Sequence, residues 1–129
     1  MKPPTRAFLA TTYRLPGVAV NIGRRSAAME ALLARHGERH AGFITAWNPR
    51  SRPMPRGWNE RMQARLRQAA RGRVLAEGFG GTGRWAEQHL LVRGDLRRLA
   101  VLGRRFRQWA IVAVAPRRPA WLVACLTGA

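Results

Sequence analysis

Apolar residues fall in short runs whose spacing switches repeatedly between that of a strand and that of a helix. Ala7 to Arg14 and Val18 to Ile22 are β-prone and flank Leu15-Pro16-Gly17, where proline presets φ and glycine accepts a positive φ, predicting a hairpin. Ser26 offers an N-cap, Met29, Leu32 and Leu33 recur at helical spacing, and Gly37 follows as a stop. Gly42 to Trp47 is too short for a helix and carries no charge, which suits a strand buried on both faces and ended by Asn48-Pro49. Residues 50–57 contain Pro53 and Pro55 and are predicted as a loop leading into a helix over 58–71, with Trp58, Met62, Leu66 and Ala69 as its apolar stripe. Segments 73–79 and 84–92 form a second expected hairpin around Gly80-Gly81-Thr82-Gly83. Asp95 caps a third helix with Leu96, Leu99, Leu102, Gly103 and Phe106 on its buried side. Segments 108–115 and 120–126 close the chain as strands around Pro116-Arg117-Arg118-Pro119. The order β-β-α-β-α-β-β-α-β-β predicts a single α/β (α+β) domain over 1–129, with a mixed β-sheet and three helices. The pattern leaves the strand order open.

Composition narrows the class. The apolar fraction of 47% is ordinary for a globular chain, and no uninterrupted apolar stretch reaches the roughly 18 residues of a membrane span, so no membrane partner is expected. The first ten residues show no secretory signal, although their arginine and lack of acid faintly imitate a transit peptide. The lone Cys125 in an apolar run fits a reducing compartment, and a cytoplasmic location is expected.

Charge is the most distinctive bulk property: 24 basic against 6 acidic residues, a net +18. All but one of the basic residues are arginine, as a high-GC genome would produce, but that bias does not account for the shortage of acid. Arg97, Arg98, Arg104 and Arg105 share one helical face with Val101 and no acid, while Arg61 and Arg65 line a flank of the preceding helix. Such ridges match phosphate groups, and they equally serve as solvated faces. Trp47, Trp58 and Trp85 lie beside loops or element ends, where stacking on bases competes with ordinary core packing.

Motif chemistry is sparse. The glycine run 78–83 lacks the lysine and the following helix of a phosphate loop and reads as a turn. His36, His40 and His89 with one cysteine show no metal-ligand spacing, and no cofactor motif is present. Glu87 and His89 share a strand face at i,i+2, which permits an acid/base pair.

Phe43-Ile44-Thr45-Ala46-Trp47-Asn48-Pro49-x-Ser51, then Asn59, Trp85-x-Glu87 and Phe106-x-Gln108-x-Ala110-Ile111, together resemble the bacterial domain-of-unknown-function family 3293 over about residues 13–114. The resemblance implies no activity. It places polar marks at Asn48, Ser51, Asn59, Glu87 and Gln108, mostly at strand ends where ligand crevices form. Arg107, where a small residue is expected, and the proline-rich stretch around Met54 depart from the pattern. Each mark also has a structural reading: an Asx-turn for Asn48, a loop bond for Ser51, a helix cap for Asn59 and a strand edge for Gln108.

Two functions remain in play. One is binding of RNA, DNA or another polyanion through Arg61, Arg65, Arg97, Arg98, Arg104 and Arg105. The alternative is a small-molecule binder or enzyme, with Glu87 as catalytic acid or base, Asn48 and Gln108 orienting the substrate, Ser51, Asn59, Trp47 and Trp85 nearby, and arginines holding an anionic group.

Overall fold

Local capping decides where the helices begin and end. The computed structural model describes residues 3–82 and 85–126, with the backbone alone at Trp85. Helix α1 spans Thr5–Ala10, followed by β1 (Thr12–Leu15) and β2 (Val18–Asn21). Helix α2 (Ala27–His36) starts where the Ser26 hydroxyl accepts from Met29 N, and stops at Gly37, whose φ of 64° is left-handed. Strand β3 (Ala41–Ile44) leads through a short 3-10 turn (Pro49–Ser51) into α3 (Arg56–Ala69). Strands β4 (Val74–Thr82) and β5 (Trp85–Arg93) follow. Helix α4 (Leu96–Arg105) is capped by Asp95, which accepts from Arg97 N, and precedes β6 (Ala110–Ala115) and β7 (Arg118–Ala124).

The seven strands form one sheet in the order β2-β1-β4-β5-β3-β6-β7. All of its strand pairs are antiparallel, which corrects the expectation of a mixed sheet. The reason is topological: α3 carries the chain from β3 past β5 to β4, and α4 carries it from β5 past β3 to β6. Each helix thus joins two parallel strands with an antiparallel one between them, so no parallel pair is adjacent. The segment β3-α3-β4-β5-α4-β6 is a split βαβ, or ferredoxin-like, unit. The β1-β2 hairpin extends one edge and β7 the other. A parallel bridge between Ile22 and Ala120, with Gly23 N donating to Ala120 O at 2.8 Å, brings those two edges together and curls the sheet.

Two apolar clusters occupy the two faces. Inside the curl, Met29, Leu32 and Leu33 of α2 pack on Tyr13, Val20, Phe43, Leu91, Val112 and Val114. On the outer face, Leu66 of α3 and Leu99 and Leu102 of α4 pack on Ile44, Leu90, Val92 and Ile111. Strand β3 is buried on both faces as its unbroken apolar run predicts.

Three local expectations change. Residues 7–10 are helical rather than extended: Phe8 N donates to Pro4 O, Thr11 Oγ1 donates to Ala7 O at 2.6 Å, and only from Thr12 does the chain join the sheet. Helix α3 starts two residues earlier than its apolar stripe suggests, directly after Pro55. Gly80 and Gly81 are strand residues, not a turn, because β4 continues past 79 to Thr82; Gly83 lies outside the described residues.

Candidate functional site

The curl leaves an opening where α2 does not reach, at the end of the sheet formed by the C-terminal ends of β3 and β4 and the N-terminal ends of β5 and β6. Here lies a cavity of about 380 Å³, roofed by Ala7 and Phe8 of α1 and floored by Tyr13, Phe43 and Val112. Its polar wall consists of Thr45, Asn48, Ser51, Glu87, His89 and Gln108. Alternation puts Glu87 and His89 on the inner face of β5, and pairing places Gly80 opposite Glu87 and Gly78 opposite His89. A Cβ on Gly80 would stand 2.8 Å from His89 Cε1 and 2.9 Å from Tyr13 Cδ1. The bare backbone there is what lets the His89 and Tyr13 rings meet edge to face, 5.3 Å between centroids.

Asn48 organises the wall. Its Nδ2 donates to Glu87 Oε2 at 2.6 Å, and its Oδ1 accepts from Met54 N and from Asn59 Nδ2, both at 2.9 Å. Asn59 Oδ1 in turn accepts from Asn48 N at 2.9 Å. Main-chain partners therefore fix the orientation of both amides. Asn59 does not cap α3, as the structural reading would have it; it lies inside the helix and ties the 48–54 loop to it. One turn further along, Gln63 Oε1 accepts from Ala46 N at 2.8 Å. Thr45 Oγ1 donates to Gln88 O at 2.6 Å, joining the end of β3 to β5.

The same loop holds strained backbone. Asn48, Arg50 and Ser51 have φ of 45°, 54° and 60°, and Arg107 has 57°. Asparagine tolerates this left-handed region, whereas arginine and serine do so at a cost of about 1–2 kcal/mol each. Arg50 N donates to Arg107 O at 2.8 Å, so the two strained turns brace one another beside Gln108. Gln108 Nε2 donates to the main-chain oxygens of Trp47 and Phe106, both at 3.2 Å.

Burial sets the electrostatics. It pushes the Glu87 carboxyl above the usual carboxylate range, an effect the Asn48 amide partly offsets. It drives the His89 imidazole down to about 4, against the bond between Nδ1 and Glu87 O at 2.9 Å. It raises the Tyr13 phenol well above its ordinary value. Near neutral pH His89 and Tyr13 are uncharged.

Of the residues marked in the sequence, Asn48, Ser51, Glu87 and Gln108 line this one cavity, and Asn59 supports it from behind. Trp47 instead lines a separate, open depression with Met54, Asn59 and the exposed Phe79 on the outer side of the sheet. The side chain of Trp85 lies outside the described residues. Arginine is absent from the cavity's described lining, so the idea of arginines clamping an anionic group there finds no support. Sequence reasoning missed Tyr13, Thr45 and Gln63. Only Gln63 left a signal, four residues after Asn59 on a helix whose buried face is otherwise apolar.

The arginines lie elsewhere. Arg97, Arg98 and Arg105 are exposed on α4 around Val101, itself 55% exposed, and Arg61 and Arg65 are exposed on α3. Four other arginines, Arg25, Arg56, Arg67 and Arg93, pair with Glu30, Glu60, Glu77 and Glu38. Arg104 Nε donates to Cys125 O at 3.1 Å.

Fold and site together define a split βαβ domain, extended into a curled seven-stranded sheet, with a cavity built around a half-buried carboxylate. The sequence profile of DUF3293, described as a protein of unknown function, matches residues 44–111, more than half of the chain. The chain belongs to that family. The matched segment runs from the end of β3 into β6 and so carries Asn48, Ser51, Asn59, Glu87 and Gln108, but not Tyr13. None of the curated proteins and none of the solved structures matches the chain.

Proposed function

We propose that the chain binds a small molecule in the cavity inside the sheet and that Glu87 exchanges a proton with it. The observation that carries this reading is a half-buried carboxylate on a cavity wall, held at 2.6 Å by a neutral amide and, among the described residues, paired with no cation. A cation would lock it as the anion; burial beside an amide keeps it protonatable closer to neutrality, as a general acid or base requires. Asn48 and Gln108 are the positioning groups. A cavity of this volume falls within the usual range for small ligands. The test is a fragment screen on the full chain, read by chemical shifts of cavity residues and repeated on Glu87→Gln. At least a tenfold loss of affinity is expected for cavity ligands; undiminished binding to the variant would remove Glu87 from the function.

A second reading rests on a different surface. Arg97, Arg98 and Arg105 have no carboxylate partner among the described residues, and the α4 face they share projects to solvent. Weak, sequence-independent binding of a nucleic acid or other polyanion there predicts a log-log salt slope of about −3 for three or four neutralised phosphates. Charge reversal at those three positions should abolish it, and binding indifferent to salt would exclude it.

A further inference from the structure

The donors and acceptors around the cavity are unevenly shared between protein and ligand. Among the described residues, most of the side-chain N–H and O–H groups that could face it are engaged inside the protein. Asn48 Nδ2 donates to Glu87, Gln108 Nε2 donates to two main-chain oxygens, and the Thr45 hydroxyl donates to Gln88 O. At the rim the Thr11 hydroxyl donates to Ala7 O. His89 follows the same rule. Its Nδ1 faces the Glu87 carbonyl oxygen, which can only accept, so Nδ1 carries the proton and Nε2 is a bare acceptor. What these residues leave unengaged are mainly lone pairs, on the second oxygen of Glu87, the amide oxygen of Gln108 and His89 Nε2; the second N–H of Asn48 and the Ser51 and Thr82 hydroxyls are the donors beside them, and a hydroxyl accepts as readily as it donates. The remaining surface is apolar, with the rings of Tyr13, Phe43 and Phe8 its largest groups.

We infer, resting on the cavity reading above, that the ligand is a nitrogen compound rich in hydrogen-bond donors, an amine, an amidine or an amino-substituted aromatic ring, and not a carboxylate or phosphate. A donor-rich ligand satisfies acceptors that would otherwise be buried unpaired beneath it, and each such unpaired group costs about 1–3 kcal/mol. An anion would stand beside a carboxyl that it would force to stay protonated, and would leave the lone pairs of Gln108 and His89 unanswered. Aromatic walls favour a ring or a cation over its face. The preference is opposite to that of the arginine surface outside, so the molecule separates two ligand chemistries between interior and exterior.

Benzylamine and 2-aminopyridine, matched against benzoate and phenyl phosphate, test this on the full chain in high salt, which suppresses the arginine surface. The readouts are the Gln108 side-chain amide and the His89 ring nitrogens by nuclear magnetic resonance. The donor pair should shift both signals and bind at least tenfold tighter than the anions, and Glu87→Gln should weaken benzylamine by tenfold or more while affecting 2-aminopyridine less. Anions that move the same signals equally well would overturn the inference and leave the cavity reading standing. Silence from all four probes at millimolar concentration would remove both.

Discussion

Asn48 and Glu87 lie 39 residues apart in the chain, yet the amide nitrogen of one stands 2.6 Å from a carboxylate oxygen of the other. The first follows β3 and the second lies near the start of the paired strand β5, so the contact exists only because those strands are antiparallel neighbours whose opposite ends meet at one end of the sheet. Asn48 joins the carboxylate to the loop, and Asn59 joins the loop to α3.

Removing the Asn48 side chain should therefore be felt as a loss of structure and of site together. Asn48→Ala deletes one donor and an acceptor of two bonds in a residue only 5% exposed, and an expected destabilisation of about 2–4 kcal/mol follows. Asn48→Asp should be milder in acid than at neutral pH, because two facing carboxylates can share a proton only when one is available. Urea denaturation at two pH values separates the variants.

His89 and Glu87 should impose opposite pH slopes on stability. The His89 imidazole lies at about 4 in the fold against 6.5 when free, so the unfolded chain binds the extra proton between those values. Stability from this group is full above pH 6.5 and lost as pH falls toward 4, by at most about 3 kcal/mol. Glu87 has a raised folded value, so its contribution is full below the ordinary value of 4.5 and declines as pH rises through the raised one. In denaturation profiles, His89→Gln should flatten the acid limb and Glu87→Gln should raise stability at neutral pH. An unchanged acid limb in His89→Gln would show that the imidazole is not held neutral.

The two inner-face glycines of β4 should differ in severity. A Cβ on Gly78 would overlap Arg14 O, a main-chain atom of the neighbouring strand, so Gly78→Ala should break the β1-β4 pairing and unfold the hairpin edge. Gly80→Ala presses on the His89 and Tyr13 rings, which can rotate, so a cost of about 1–3 kcal/mol and a smaller cavity are expected. Hydrogen exchange of β1 amides distinguishes the two outcomes.

Relief of loop strain offers a gain. Arg50 is exposed and held at φ 54°, so Arg50→Gly should stabilise the fold by about 1 kcal/mol, since its N–H to Arg107 O is retained. A loss of stability in thermal unfolding would mean that the Arg50 side chain contributes more than its backbone costs.

Reading the fold from the chain succeeded where the signal was local. Ser26, Gly37 and Asp95 act as the caps and stop their residue types suggest, and the Pro16-Gly17 hairpin forms with Gly17 at φ 73°. It failed where the answer depended on a partner distant in sequence. The glycine run looked like a turn because glycine is common in turns, whereas Gly78 and Gly80 are strand residues with the Arg14 backbone and the His89 ring where side chains would be. Residues 7–10 are as compatible with a strand as with a helix, and Ala7 and Phe8 become the roof of the cavity only through their place across it from Phe43 and Val112. The polar marks at Asn48, Ser51, Glu87 and Gln108 were visible, but their convergence was not.

Sequence by itself determined helices α2, α3 and α4, the doubly buried β3 and the acid-free arginine face of α4, because periodicity and capping act within a few residues. Tertiary structure alone decided that the sheet is antiparallel and curled, that Tyr13 and His89 meet over Gly80, and that a carboxylate from β5 faces an amide from the loop after β3. Those outcomes depend on strand order and register, which follow from packing summed over the whole chain and are written in no single segment.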